Sequence, residues 1–148
     1  MSKAFVSEDS AVAEELALPL RPDEPLPITA KGHARLLAER ASLPRDDEGT
    51  RHRARVLDRV LATVVVTSPS LIDGGAGFGC VVEVADERGV KRTYTFVGPD
   101  EVEPASGHIS LDSPIGRAIR GRRAGDVAEL ERAGEEVELR VLSVQLDH

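Results

Sequence analysis

The spacing of apolar residues changes once along the chain, close to residue 74. Before that point apolar side chains recur every three or four positions, which is typical of one face of a helix. A clear set of this kind is Val56, Leu57, Val60, Leu61 and Val64. After it, apolar and polar residues alternate, which is typical of strands with one buried face. The pattern predicts a helical part followed by a β-rich part.

Two helices are predicted in the first part. Thr29 supplies a side-chain oxygen for the free amides of a helix start, and Pro44 ends that helix. The polar residues 45–50 form a turn, so the helices fold back as an antiparallel hairpin. A helix of about 13 residues is only about 20 Å long. The run Val64–Val66 favours a strand, which places the end of the second helix near Thr63.

The second part is predicted to hold five strands, mostly antiparallel. Two of them, 80–84 and 92–97, flank the turn sequence D-E-R-G, and a short third strand covers 108–111. A second hairpin joins 126–130 to 136–146 through Ala133 and Gly134. In the strand 136–146 apolar and charged residues alternate, so we expect one face to be buried and the other to be exposed to solvent.

A short helix is predicted to cross this sheet. Ser113 suits its N-cap, Pro114 its first position and Gly121 the position just past its end. The fold class is therefore α+β: a short N-terminal antiparallel helical hairpin, then a mostly antiparallel sheet with one short crossing helix. We expect an acidic mobile tail over 1–28, the hairpin over 29–66 and the sheet domain over 71–148.

Charge is distributed unevenly along the 148 residues. The net charge of −7 comprises −4 for residues 1–28, +3 for 29–70 and −6 for 71–148. An acidic protein with a basic central segment is better suited to binding another protein than to sequence-independent binding of DNA. Aromatic residues are only 3%, too few for a base-stacking platform.

The expected location is cytoplasmic. The sequence contains no apolar run of about 18 residues, so we expect no membrane span. The first residues, M-S-K-A-F-V-S-E-D, lack the apolar core of a secretory signal. Cys80 is the single cysteine, which excludes an internal disulfide, and we expect it to be a small buried apolar residue.

Most candidate chemical motifs have an ordinary structural explanation. The glycines of 74–79 lack the spacing and the following helix of a phosphate loop, so a flexible connection to the sheet is expected. No serine has a recognisable His and acid partner, so no catalytic residue is assigned. Four histidines are scattered and expected to be solvent-exposed, with no metal site; they are His33, His52, His108 and His148.

Charged residues cluster at the tip of the predicted hairpin. Asp46, Asp47 and Glu48 could bind a hard cation such as magnesium, or they could form a solvated turn and helix start. A basic cluster follows, either a solvated helix face or a contact for an acidic protein surface or nucleic acid. It consists of Arg51, Arg53, Arg55 and Arg59.

Several segments resemble the Gre family of transcription elongation factors, GreA and GreB. They are F-G-C-V-V-E-V, Y-T-F-V-G-P-D-E, I-S-L-D-S-P-I-G-R-A-I-R-G-R-R-A-G-D-V and E-V-E-L-R-V-L-S-V, between Phe78 and Leu146. The start M-S-K-A-F resembles GreB, and I-T-A-K-G-H-A-R-L resembles the first turns of the Gre coiled-coil arm. The resemblance covers most of the chain.

The resemblance implies a function as well as a fold. It implies an FKBP-like C-terminal domain that docks on core RNA polymerase at the rim of the secondary channel, with contacts from Asp112, Ser113 and Pro114. It implies an accessory factor rather than an enzyme, with no cofactor of its own and Mg²⁺ only through the polymerase active site. Nucleic acid would be met only within the transcription complex, and a monomer is expected.

The sequence departs from the family at the tip of the arm. The family's acidic pattern D-x-x-E-N is missing, because Asp46, Asp47 and Glu48 are followed by Gly49, and the arm is shorter. A regulator with weak or lost stimulation of transcript cleavage is therefore expected, similar to Rnk, a relative with a short arm.

Three alternatives stay open at this stage. The first is an active GreA/GreB-type cleavage factor that uses the tip acids. The second is a Rnk-like protein that binds another protein such as a kinase. The third is a prolyl isomerase, suggested by the fold name alone and weakly supported, because the domain offers only Phe78, Tyr94 and Phe96 to line a pocket.

Overall fold

The structure, a computed structural model, describes residues 20–44 and 47–147. This part of the chain divides into two compact units. The helical unit contains residues 20–25 and 34–64, and the C-terminal unit contains residues 26–33 and 65–147. Within the described ranges, no helix is long and apolar enough to cross a membrane.

The predicted helical hairpin is confirmed. Helix α1 spans Ala30–Ser42 and helix α2 spans Glu48–Ala62; we call these two helices the arm. Two ion pairs link the helices, Glu39 with Arg53 and Arg40 with Asp58. Glu39 and Arg40 lie near the C-terminal end of α1, and their partners Arg53 and Asp58 lie in the middle of α2. The two helices therefore pack side by side, as in an antiparallel pair.

The arm has little buried apolar surface. Only Gly32 is buried in α1, and Leu57 and Val60 are buried in α2. Leu37, an apolar residue of α1, is 47% exposed. The hydrophobic period thus predicted the two helices correctly, but most of their apolar residues remain in contact with solvent.

The strand after the arm begins where it was predicted to begin. Thr63 ends α2 by donating its backbone N–H to the carbonyl of Val60, and strand β2 follows at Val64–Val66. Its partner is strand β1, Leu26–Ile28, in which Ile28 is fully buried. The expectation of a tail through residue 28 is therefore wrong for β1, because pairing and burial order these three residues. Residues 1–19 lie outside the described part.

The predicted five-stranded sheet is confirmed, and its order is β5-β4-β3-β7-β6. The pairs β3–β4, β3–β7 and β6–β7 are antiparallel, whereas β4 and β5 are parallel. The strands are β3 Cys80–Ala85, β4 Lys91–Phe96, β5 His108–Ile109, β6 Val127–Arg132 and β7 Glu135–Leu146. Strand β5 is shorter than predicted, because the chain turns at Ser110 toward the next helix.

The core of the C-terminal unit lies on one face of this sheet. Strand β3 buries alternate residues, Cys80, Val82 and Val84, each at most 1% exposed. Phe96 from β4 and Val141 from β7 are fully buried beside them. The predicted period of two thus assigns the buried face correctly.

The crossing helix α3 spans Pro114–Ile119 and contributes the fully buried Ile119 to that core. Gly121 follows it with a left-handed φ of 76°, which glycine adopts without steric cost. Gly121 and Ala76 are hydrogen-bonded through their backbones, and Ala76 also donates to the carbonyl of Arg122. A side chain at Gly75 would overlap the Gly121 carbonyl. The expectation of a flexible connection at 74–79 is therefore wrong, since this segment is closely packed against the residues that follow α3 and against residues 69–72.

Candidate functional site

The start of α3 is held in place by a compact set of hydrogen bonds. The Ser113 hydroxyl accepts from the backbone N–H of Gly116 at 3.0 Å and donates to the carbonyl of Ser110 at 2.6 Å. The Asp112 N–H in turn donates to the Ser110 hydroxyl at 3.1 Å. A side chain at Gly116 would overlap the Ser110 carbonyl, so only glycine allows this approach. The backbone of residues 110–116 is thereby fixed.

This arrangement leaves the predicted contact residues accessible. Asp112 and Pro114 are exposed, and Ser113 is half-buried because its hydroxyl serves as the cap. The Asp112 carboxylate is 81% exposed, and its partner Arg120 lies 3.8 Å away, at the long limit of an ion pair. Such a pair gives little stability, so the carboxylate is free to exchange Arg120 for a partner's donor.

An apolar groove of about 270 Å³ opens beside these residues. Its floor and walls come from β5, α3 and β6, which the fold brings together although they are distant in sequence. The lining residues are Ile109, Ser113, Pro114, Ile115, Leu130, Glu131 and Arg132. The groove offers an apolar side chain a place next to the exposed acid of Asp112. Sequence reasoning missed it, because no local pattern places β6 beside α3.

Basic side chains surround the other end of α3. Arg117, Arg120, Arg122 and Arg123 are all exposed within seven residues of an otherwise acidic unit. Arg123 is held by the carbonyl of Asp73 through its Nε, at 3.1 Å. The surface thus combines the acids Asp112 and Glu131, an apolar groove and a group of arginines, which suits a protein partner better than a small molecule.

The tip acids that the structure describes are engaged in structural roles. The Asp47 carboxylate accepts from the backbone N–H of Thr50 at 2.8 Å and so caps α2. Glu48 accepts from Arg51 at 3.0 Å and from Arg55 at 3.2 Å. These contacts match the helix-start interpretation of the two residues. Asp46 lies outside the described residues, and the role of the three acids stays a prediction.

Ion pairs shift the titration of the carboxylates in the arm. The hydrogen bond from Arg53 lowers the pKa of Glu39, and that from Arg40 lowers the pKa of Asp58. Hydrogen bonds from Arg51 and then Arg55 lower the pKa of Glu48. The hydrogen bond with Glu39 raises the pKa of Arg53, and the one with Asp58 raises the pKa of Arg40. Each pair therefore favours the charged forms at neutral pH.

The remaining candidates do not assemble into a reactive centre in the described ranges. No group of three His, Cys, Asp or Glu side chains there is placed to hold a metal ion. Burial raises the pKa of the Cys80 thiol, which packs in the core as predicted. The expected exposure of the histidines is wrong for His33, His52 and His108, which are half-buried; His148 lies outside the described residues.

Of the three aromatic residues in the described ranges, Tyr94 and Phe96 are buried and Phe78 is half-buried. Phe96 is fully buried and Tyr94 is 8% exposed, and both belong to the core. Their rings support the sheet and are not available to a bound peptide. This placement weakens the prolyl isomerase alternative.

The chain matches the family model described as "Transcription elongation factor, GreA/GreB, C-term" over residues 72–146. Transcription elongation factor GreA of Verminephrobacter eiseniae is 36% identical over 118 residues, covering 74% of this chain and 75% of that protein. Other GreA proteins are matched over 34% and 62% of their length. The crystal structure of GreA factor homolog 1 (Gfh1) of Thermus thermophilus is 27% identical, with a TM-score of 0.43 over 82% of this chain and 99% of that one.

One of these comparisons also measures a difference in length. GreA of Maridesulfovibrio salexigens is 28% identical over 150 aligned positions, which cover 94% of that protein and 80% of this chain. Since 80% of 148 residues is about 118, roughly 30 of the 150 positions have no counterpart here. This chain is therefore shorter than that relative inside the aligned region.

Proposed function

This chain belongs to the GreA/GreB family of transcription elongation factors, and we propose that it is an RNA polymerase-binding regulator of elongation. It docks at the rim of the secondary channel through Asp112, Ser113 and Pro114. The observation that carries this proposal is the fixed, exposed start of α3 beside the apolar groove. The comparisons support the family, and the docking role is the part we propose.

The chemistry of the site indicates what it recognises on the polymerase. Asp112 takes a cationic or N–H donor, and the groove takes one apolar side chain next to it. Because the cap at Ser113 already fixes the loop, little conformational entropy is lost on binding. The exposed arginines at the far end of α3 add attraction to acidic groups and speed up association.

We further propose that stimulation of transcript cleavage is weak or lost. The helices of the arm have 13 and 15 residues, so at 1.5 Å per residue they are about 20 and 23 Å long. If the missing 30 or so positions belong to the arm, each helix lacks about 15 residues, or roughly 22 Å. A tip withdrawn by that distance cannot place carboxylates on a metal ion at the catalytic centre, because Mg²⁺ demands closely defined oxygen positions.

In this proposal the chain is an accessory factor with no cofactor of its own. Any cleavage chemistry, and any Mg²⁺, belongs to the polymerase active site. The factor acts as a monomer, and it meets nucleic acid only within the transcription complex. The short arm also fits a Rnk-like regulator whose partner is the polymerase or another protein, which is the second candidate.

A binding titration with core RNA polymerase tests the docking role. The wild-type chain should bind, and the double variant Asp112→Arg/Pro114→Ala should bind at least about tenfold more weakly, since it reverses the charge beside the groove and removes an exposed ring. The matched control is Glu87→Arg/Pro104→Ala, which makes the same exchanges at exposed positions outside the groove. No binding by the wild type, or equal loss in both variants, would contradict the proposal.

A further inference from the structure

Glu101 is the one charged side chain in the buried class among residues 20–44 and 47–147. It is 6% exposed and ends the 3-10 turn Pro99–Glu101, which follows β4. A buried carboxylate is costly unless hydrogen-bond donors replace the water that it has lost. The position of Glu101 therefore needs an explanation beyond the packing of the sheet.

Three donors surround this carboxylate, and all of them are neutral. Oε2 accepts from the backbone N–H of Thr29 at 3.0 Å and from that of Gly98 at 2.8 Å. Oε1 accepts from the hydroxyl of Thr29. Oriented dipoles of these neutral donors therefore stabilise the carboxylate charge.

The most important of these dipoles is the start of α1. A helix N-terminus favours a nearby negative charge, but the first turn of α1 has no acidic residue and instead contains Lys31 and His33. Glu101 supplies the missing charge from 72 positions further along the chain. Thr29 joins the two elements, because its hydroxyl also accepts from the backbone N–H of Gly32 at 3.0 Å.

Two glycines leave the space that this contact needs. A side chain at Gly32 would overlap the Glu101 carboxylate itself. A side chain at Gly98 would overlap the backbone carbonyl of Pro27. Thr29, Gly32, Gly98 and Glu101 thus form one arrangement, which we call the Glu101 clamp.

An exposed ion pair at the same helix turn can be compared with the Glu101 clamp. The Lys31 ammonium lies 2.8 Å from the Asp147 carboxylate, with side-chain exposures of 66% and 31%. Water and salt screen this pair, so its contribution is small. The buried clamp is the stronger hold on the first turn of α1.

We propose that Glu101 is a positioning residue that holds the first turn of α1 in place within the C-terminal unit. This inference rests on the proposed function for its consequence. A factor that acts on the polymerase through its arm needs a defined start of α1. Docking through α3 does not need the clamp, because no residue of the clamp lines the groove.

Hydrogen exchange on the full-length chain tests the clamp without the polymerase. In Glu101→Gln the amide oxygen can still accept from the two backbone N–H groups, but the NH₂ replaces the acceptor of the Thr29 hydroxyl and the negative charge at the helix start is lost. The exchange of amides 30–33 should therefore accelerate at least about tenfold, with β3 and β7 unchanged. Lys31→Gln should change the same amides by less than about threefold. Thr29→Ser should preserve protection, and Thr29→Val should abolish it. Unchanged exchange at 30–33, or a uniform increase throughout the sheet, would overturn the proposal.

A second measurement tests the consequence for transcription. Glu101→Gln should bind core polymerase within about threefold of the wild-type affinity, while its effect on elongation falls at least about tenfold. Equal effects of variant and wild type on elongation would overturn the positioning role. If the wild type fails to bind at all, the proposed function fails, and the exchange experiment still decides the clamp.

Discussion

The C-terminal unit and the arm are stabilised by different kinds of contact. The C-terminal unit has a continuous core in which Val82, Phe96 and Val141 are fully buried, and its backbone segments approach so closely that only glycine fits at Gly75 and Gly116. The helices of the arm are linked by exposed ion pairs, such as Glu39 with Arg53. Burial of apolar surface contributes far more to stability than exposed ion pairs do.

The difference shows which part of the molecule is constrained. Close packing fixes the start of α3 to within small displacements, which suits a surface that must match a partner. Exposed pairs tolerate substitution and changes in length, because they add little stability and few neighbours depend on them. We therefore expect the arm to be the adjustable element of the protein and the C-terminal unit the fixed one.

The largest difference between the regions should appear on removal of a large apolar side chain. Phe96→Ala should lower the free energy of unfolding by about 4 kcal/mol, because it leaves a cavity in the core. Leu37→Ala, at a position that is 47% exposed in the arm, should cost less than about 1 kcal/mol. Urea unfolding followed by the fluorescence of Tyr94, the single tyrosine, measures the first. Circular dichroism measures the second.

Adding a methyl group at a glycine should sharpen the contrast. Gly75→Ala should cost about 3 kcal/mol, since the new side chain would overlap the Gly121 carbonyl. Gly49→Ala, in the first turn of α2, should change the stability by less than about 1 kcal/mol, because alanine favours a helix. The melting temperatures of both variants give the comparison. Equal shifts would mean that the segment 74–79 is not closely packed.

The two helix caps should differ by a smaller amount. Ser113→Ala removes an acceptor for Gly116 and a donor to Ser110, and should cost about 2 kcal/mol. Asp47→Ala removes one exposed cap from α2 and should cost about 1 kcal/mol or less. Chemical denaturation of the two variants checks the order. A larger loss for Asp47→Ala would reverse the assignment of fixed and adjustable regions.

The smallest effect should be the pH response of the arm. Because the folded-state pKa values of Glu39, Glu48 and Asp58 are lowered, their stabilising contribution is present above the unfolded values near 4 and is lost as the pH falls through the folded values. Helical circular dichroism should therefore decrease below about pH 4. The variant Glu39→Gln/Asp58→Asn should respond less, and Tyr94 fluorescence should remain unchanged over the same range. A decrease between pH 6 and 8 instead would contradict the assignment.

Local rules predicted the elements that depend on local chemistry. Ser113 is the N-cap of α3, Pro114 its first residue and Gly121 the residue after its C-cap, as their chemistry suggests. The turn at Ala133 and Gly134 joins β6 to β7. The three β-branched residues at 64–66 also predicted where α2 ends and β2 begins.

Features that depend on distant residues could not be predicted in this way. Strand β1 has only three residues, follows Pro25 and contains Pro27, and it is ordered by pairing with β2. The groove needs β6 beside α3, and the clamp joins Thr29 to Glu101 across 72 positions. One signal was available, namely a helix start at Thr29 without an acidic residue in its first turn.

An assay on stalled transcription complexes tests the central claim most directly. Complexes paused on a defined template are supplied with nucleotides with and without the full-length chain, and the labelled RNA is resolved on a gel. The account predicts an altered rate of elongation with no short 3′ RNA fragments, and loss of the effect in Asp112→Arg/Pro114→Ala. Release of short 3′ fragments, or identical elongation in every sample, would contradict it.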